Sequence, residues 1–255
     1  MGIIIPTKNS KELAVMVEGG KKLGRVKFAL KKALRIGVNA QELEILASKL
    51  IKKEGGEASF KKVPGYSWAT CVNVNEGVVH GIPLKEIVFK KGDVVSVDVG
   101  MFYGGFHTDT SFSVGLGVDN KIGYFLEVGK KALNMAVGSA KAGNRVFDIS
   151  EGIERAIKGA GFTPVEDLVG HGVGRNLHEE PQIPCFIRGK RENSPIIPQM
   201  AVLAIEVMYT MGKKDLVIGP DGWTISTADA KIAALFEETV AVTAHGPLIL
   251  TEGNQ

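Results

Sequence analysis

Carboxylates sit inside the most apolar, β-branched runs of this chain. Asp98 lies in Val94-Val95-Ser96-Val97-Asp98-Val99-Gly100, and Asp109 follows in Phe106-His107-Thr108-Asp109-Thr110-Ser111-Phe112. Glu206 lies in Ala201-Val202-Leu203-Ala204-Ile205-Glu206-Val207-Met208, and Glu237 begins Glu237-Glu238-Thr239-Val240-Ala241-Val242. Burying one carboxylate alone in a strand costs several kcal/mol. One such acid can be met by a salt bridge. Four of them, with His171 in a glycine-rich run, call for a concentrated positive charge, and a pair of divalent metal ions supplies it.

Composition narrows the setting. The 255 residues are 44% hydrophobic and 23% charged, as in a soluble globular protein, and one domain over 1–255 is expected. A net charge of +3 is too small to argue for DNA or RNA binding. No apolar run reaches the length of a membrane span, and the N-terminus lacks the pattern of a secretion signal. Cys71 and Cys185 do not make a disulfide framework, so a reduced, cytoplasmic setting is expected, with a monomer as the default.

Apolar spacing predicts a helix over 10–36, capped by Ser10 and ended by Gly37. Asn39 with Glu42 has capping-box spacing and opens a second helix that ends near Gly55-Gly56. Strands are expected at 69–74, 94–102, 106–116, 201–210, 215–218 and 236–243, and helices at 119–141 and 145–160. Pro181, Pro184, Pro195 and Pro198 predict a long irregular link over 179–199. Each half offers two acid-bearing strands, which suggests a pseudo-symmetric domain with its site between the halves.

Asp98 and Asp109 flank the turn signal Tyr103-Gly104-Gly105. A hairpin closed there puts both acids on one face, directly opposite or offset by one pair. At that distance two ionised carboxylates repel unless a cation lies between them. His171 and His178 share the run Gly170-His171-Gly172-Val173-Gly174-Arg175-Asn176-Leu177-His178, whose spacing fits neither a phosphate loop nor a single-zinc helix motif. Its glycines suggest close approach of backbone to a ligand. His80 ends a strand at Val78-Val79-His80-Gly81, His107 shares the strand face of Asp109, and His245 reads as surface. Glu237 and Glu238 point to opposite faces of their strand, and periodicity does not say which one turns inward.

At these residues the chain resembles the methionine aminopeptidases. The matching segments are His80-Gly81-Ile82-Pro83, Asp98-Val99-Gly100, Gly104 to Asp109, Gly170 to Pro181, Ile205-Glu206, Asp221-Gly222-Trp223-Thr224 and Glu237 to Thr243. The likeness runs from about residue 10 to the C-terminus and is to the short bacterial type I form. It implies the α+β pita-bread fold, a pseudo-two-fold antiparallel sheet flanked by helices, with a dinuclear metal site. Asp98, Asp109, His171, Glu206 and Glu237 then stand as metal ligands for two divalent ions drawn from cobalt, manganese, iron or zinc. His80, His178 and Glu206 stand as catalytic residues, and Tyr66, Cys71, Leu177 and Trp223 line the substrate pocket with the two histidines. The implied activity is removal of N-terminal methionine from peptides and nascent chains, with a small second residue preferred.

Three positions depart from the family pattern. Val207 replaces a usual proline and is expected to loosen the backbone at Glu206. Leu177 replaces a common aromatic and Asn176 a common glycine, so a wider pocket wall is expected. Two rivals are an Xaa-Pro aminopeptidase-like enzyme and a non-catalytic binding protein of the same fold. Against the first stand the chain's length and the Trp223 segment, and against the second stands the complete ligand set. The basic stretch Lys21 to Arg35 reads as a solvated helix face, with ribosome docking as the alternative.

Overall fold

The computed structural model describes residues 3–253. Helix α1 (Ser10–Ala33) and α2 (Ala40–Lys53) come first, followed by strands β1 (Glu57–Ala58), β2 (Thr70–Val74) and β3 (Gly77–Val79). The long strands β4 (Val94–Tyr103) and β5 (Phe106–Gly115) precede helices α3 (Asn120–Ser139) and α4 (Val146–Gly159). Short strands β6 (Thr163–Pro164), β7 (Val169–Gly172) and β8 (Glu179–Pro184) lead to β9 (Val202–Thr210). The chain closes with β10 (Leu216–Ile218), β11 (Ile225–Thr227), β12 (Ala233–Thr243) and β13 (Gly246–Ile249).

A ten-stranded sheet runs in the order β1-β4-β5-β12-β9-β7-β8, with β2, β6 and β13 pairing from its sides. Every pairing is antiparallel. Helices flank it as the pita-bread expectation requires: α1 and α2 cover the first half, α3 and α4 the second. Alternation along β4 sends Val95, Val97, Val99 and Met101 into one core cluster with Leu23, Val26 and Leu30 of α1. The intervening positions, Ser96, Asp98 and Gly100, face away from the helices. Among the described residues, no helix is long and apolar enough to cross a membrane.

The two halves meet at a seam. Strands β5 and β12 share one ladder pair, Ser111 with Glu237. Side-chain hydroxyls take up backbone groups that a closer ladder would have paired. Thr110 Oγ1 donates to the Glu237 carbonyl at 2.8 Å, and Ser113 Oγ donates to the Leu235 carbonyl at 2.8 Å. Thr239 Oγ1 accepts from the Asp109 N–H at 2.8 Å and donates to the Asp109 carbonyl at 2.7 Å.

Several local expectations change. Asn9, not Ser10, caps α1, because Asn9 and Glu12 have the capping-box spacing and bond reciprocally. That helix stops at Ala33, where Leu34 turns extended. The Asn39–Glu42 box opens α2 as predicted. Residues 179–184, expected to be irregular, form strand β8 against β7. Its prolines are tolerated because β8 lies at the sheet edge. Lys27 breaks the solvated reading of the Lys21 to Arg35 stretch, being buried at 9% exposure.

Candidate metal centre

The hairpin of β4 and β5 turns at Gly104 and Gly105, with φ of 58° and 91°. Positive φ at both central residues is the tight two-residue turn whose twist suits flanking strands. Its register sets Gly100 opposite Asp109 and Asp98 opposite Ser111. The two acids therefore share a face, offset by one pair.

That register continues across the sheet. Cys71 pairs with Asp98, Ser111 with Glu237, and Glu237 with Glu206. One row thus carries Cys71, Asp98, Glu237 and Glu206 across five strands. The next row carries Asp109, Thr239, Ala204 and His171, joined by the Thr239 hydroxyl and by ladder pairs of β12 with β9 and β9 with β7. Strand pairing gathers residues 139 positions apart, Asp98 to Glu237, onto one row of the sheet. Donor atoms of Asp109, His171 and Glu237 lie within 4.8 Å of one another and all three residues are buried. Asp98 and Glu206 line the same cavity.

Val207 does not loosen Glu206. Strand β9 pairs without a break from Val202 to Thr210 against β12, with Val207 opposite Phe236. Valine keeps the N–H that proline lacks, so the strand continues through the position.

The electrostatics are those of an acid cluster short of positive charge. Burial and the neighbouring Asp109 and Glu206 hold the Asp98 carboxyl far above the usual carboxylate range. Burial raises Asp109 to about 7, and burial with the Asp109 charge raises Glu206 to about 8. Glu237 is pushed up by burial and then by Asp109 and Asp98. Asp98 Oδ1 is buried with no hydrogen-bond partner. His171 Nδ1 lies 2.9 Å from the Gly172 carbonyl, to which it donates, leaving Nε2 free for another partner. Burial, then nearby His178, lowers His171 to about 4, so it is the neutral imidazole a metal ligand must be. An orphaned carboxylate oxygen, four acids of raised proton affinity and a neutral oriented imidazole are a donor set that fits hard or borderline divalent cations.

The cavity, about 140 Å³, extends from these acids into an apolar end. On the same measure a space of ~10–15 Å³ already holds one water, so the cavity exceeds a packing defect. Phe60, Tyr66, Cys71 and Leu177 form a buried cluster with Val63, Trp68 and Trp223 packed against it. Tyr66 stands edge-on to Trp223 with ring centroids 5.1 Å apart, and its hydroxyl donates to the Thr70 carbonyl at 2.9 Å. Leu177 lines the cavity, as the resemblance implied. His80 and His178 lie on the cavity rim, both exposed. His80 has φ of 59°, a conformation costly for a residue with Cβ and found disproportionately at functional sites. The His171 and His178 rings meet edge-on at 4.5 Å.

Every site residue named from the sequence lines this one cavity. Phe60, Val63 and Val79 also line it and carried no signal in the sequence, since apolar residues here look like any core contact. Thr239 was missed because its hydroxyl bonds the backbone of Asp109 on another strand, which nothing in its own segment records. His107 lies off the cavity, its Nδ1 2.9 Å from Ser59 Oγ, and His245 is exposed. Two glycines of the His171 run serve close strand packing: a Cβ on Gly170 would meet the Ala204 carbonyl at 2.8 Å, and one on Gly172 the Glu180 carbonyl at 2.1 Å.

The profile of metallopeptidase family M24 matches residues 15–244. The chain is 37% identical over 249 residues to a methionine aminopeptidase of Clostridium perfringens, covering 97% of this chain and 99% of that protein. A crystal structure of a methionine aminopeptidase from Thermotoga maritima superposes with a TM-score of 0.94 at 39% identity, covering 98% of this chain and all of that one. A prolidase from Pyrococcus furiosus shares the fold, with a TM-score of 0.76 at 20% identity, and this chain covers 66% of it.

Proposed function

This chain belongs to metallopeptidase family M24, and from that premise we propose that it is a metal-dependent methionine aminopeptidase acting in the cytoplasm as one catalytic domain. The observation that carries the reading is the shared cavity: five metal-type donors at one end and an aromatic, sulfur-lined pocket at the other. Thioether sulfur packs favourably against aromatic rings, so the pocket suits a methionine side chain.

Asp98, Asp109, His171, Glu206 and Glu237 would hold two divalent ions. Bound there, such ions supply an acidified water and a Lewis acid for the peptide carbonyl. Glu206 accepts the proton of the attacking water on a carboxylate oxygen. His178 donates a hydrogen bond to the carbonyl oxygen as negative charge develops on it. His80 hydrogen-bonds the scissile nitrogen, which leaves as an amine when Glu206 passes to it the proton taken from water and the C–N bond breaks. Both histidines are exposed, yet the protein packed around them lowers their proton affinity, with His178 adding to the effect on His80. At neutral pH each is therefore a neutral single donor. Tyr66, Cys71, Leu177 and Trp223 hold the methionine side chain and exclude water from the apolar end.

The test is release of free methionine from a Met-Ala-Ser peptide, with an Xaa-Pro peptide alongside, by metal-stripped protein and after addition of manganese or cobalt. Metal-dependent methionine release is the expected result. Cleavage of the proline peptide alone would reassign the specificity, and absence of metal binding would remove the reading altogether.

A further inference from the structure

A second polar network lies behind the carboxylate cluster, on the helix-covered side of the same two strands. Lys27 of α1 donates through Nζ to Glu238 Oε1 at 2.5 Å and to Thr110 Oγ1 at 3.0 Å. Thr251 Oγ1 donates to the other Glu238 oxygen and accepts from the Thr239 N–H at 3.0 Å. Thr110 Oγ1 in turn donates to the Glu237 carbonyl at 2.8 Å. The Lys27 and Glu238 side chains are only 11% and 16% exposed.

The position of this network matters. Thr110 follows Asp109 and Glu238 follows Glu237, so strand alternation turns them to the face opposite the two acids. Lys27 belongs to the helix packed on the first half, and Glu238 to the second half. Nine consecutive pairs fix β12 against β9. One ladder pair and the hydroxyl bonds of Thr110, Ser113 and Thr239 hold β12 to β5. The spacing of Glu206 and Glu237 from Asp98 and Asp109 therefore depends on what bridges the seam.

A buried ion pair is weak evidence for stability, because apolar replacements are often neutral or stabilising, and fixing a registry is its best-attested use. We infer that Lys27 is a positioning residue for the metal centre: by drawing Glu238 onto α1 it sets the seam spacing at which the two pairs of acids face each other. The inference rests on the metal-centre reading above.

Calorimetric titration of the full chain with Mn²⁺, together with thermal melts, tests it. K27M is expected to raise the Mn²⁺ Kd by about 10- to 100-fold, the range seen when partners that orient metal ligands are removed. K27M/E238L replaces the pair with apolar groups; it should melt near the wild type while its Kd stays raised at least about tenfold. The reversed pair K27E/E238K should bring the Kd back toward the wild-type value. A folded K27M/E238L that binds Mn²⁺ like the wild type overturns the inference, and so does a folded reversed pair that stays as weak as K27M. D109N/E237Q separates the two readings. If it binds Mn²⁺ like the wild type, the metal centre itself is misassigned; if it loses binding while K27M/E238L keeps it, only the role of Lys27 falls.

Discussion

Strands β4 and β5 present two faces made of the same alternating sequence, and the two faces are built on opposite terms. The helix face carries Val95, Val97, Val99 and Met101, all fully buried and packed with Leu23 and Leu30. Each such side chain gains free energy by leaving water. The other face carries Asp98 and Asp109, whose burial is unfavourable by itself and pushes both carboxyls to retain protons. One face holds the sheet together, and the other spends some of that stability to hold a charge deficit for a metal. Functional sites commonly trade stability for activity in this way.

The contrast between the faces is greatest at Glu206. E206A should lower kcat for methionine release by about 10²- to 10⁴-fold, the usual contribution of a positioned acid or base. Its circular dichroism and its melting temperature without metal should not fall, since the change removes a carboxyl whose burial is itself unfavourable. Wild-type turnover in E206A would end its assignment.

The helix face should respond the other way. L23A removes a side chain with no exposed surface and is expected to cost ~2–5 kcal/mol in urea denaturation. Turnover per folded molecule should stay within about twofold of the wild type at saturating metal, because Leu23 touches only the core. A selective loss of activity without loss of stability would show that the two faces are not separable.

A smaller effect sharpens the contrast through pH. Asp109 at about 7 and Glu206 at about 8 lie above their unfolded values of ~3.9 and ~4.3. The folded metal-free chain then holds protons that the unfolded chain has released. The stability these groups contribute is complete below pH ~4 and is lost as pH rises through 7 and 8. His171, lowered to about 4, acts in the opposite sense below its unfolded value of ~6.5. Between pH ~6.5 and ~8 the carboxyls decide, so the melting temperature of EDTA-treated protein should fall across that interval. Added Mn²⁺ should raise it more at the upper end of that interval than at the lower, because binding releases protons. D109N/E206Q should flatten the metal-free profile, and a wild type as flat as this variant would contradict the raised proton affinities.

Much of this molecule is legible in the sequence alone. The alternation in 94–102 and 106–116, the Gly104-Gly105 turn and the two acids on one hairpin face are local properties. A period of two and a tight turn decide them within some twenty residues. The Asn39–Glu42 box is equally local. Likeness to a known family then carried the assignment of Glu237 over Glu238, which periodicity left open. The structure supplies the physical ground for it: a lysine behind the strand takes Glu238, and the acid cluster faces Glu237.

Long-range pairing decided the rest. Strand β7 is four residues with two glycines, and β8 is broken by prolines. Neither carries the alternation that marks a strand, and both exist because partners across the sheet supply their hydrogen bonds. Phe60 and Val63 reach the cavity because β1 and the turn after it fold over β4, which no spacing in their own segment records. The chain by itself determined which chemical groups it could offer and which local turns and caps it would form, because those follow from neighbouring residues. Only the tertiary structure decided which groups meet, because the row from Cys71 to Glu206 is set by register across five strands, and register is a property of pairs of strands, not of any one.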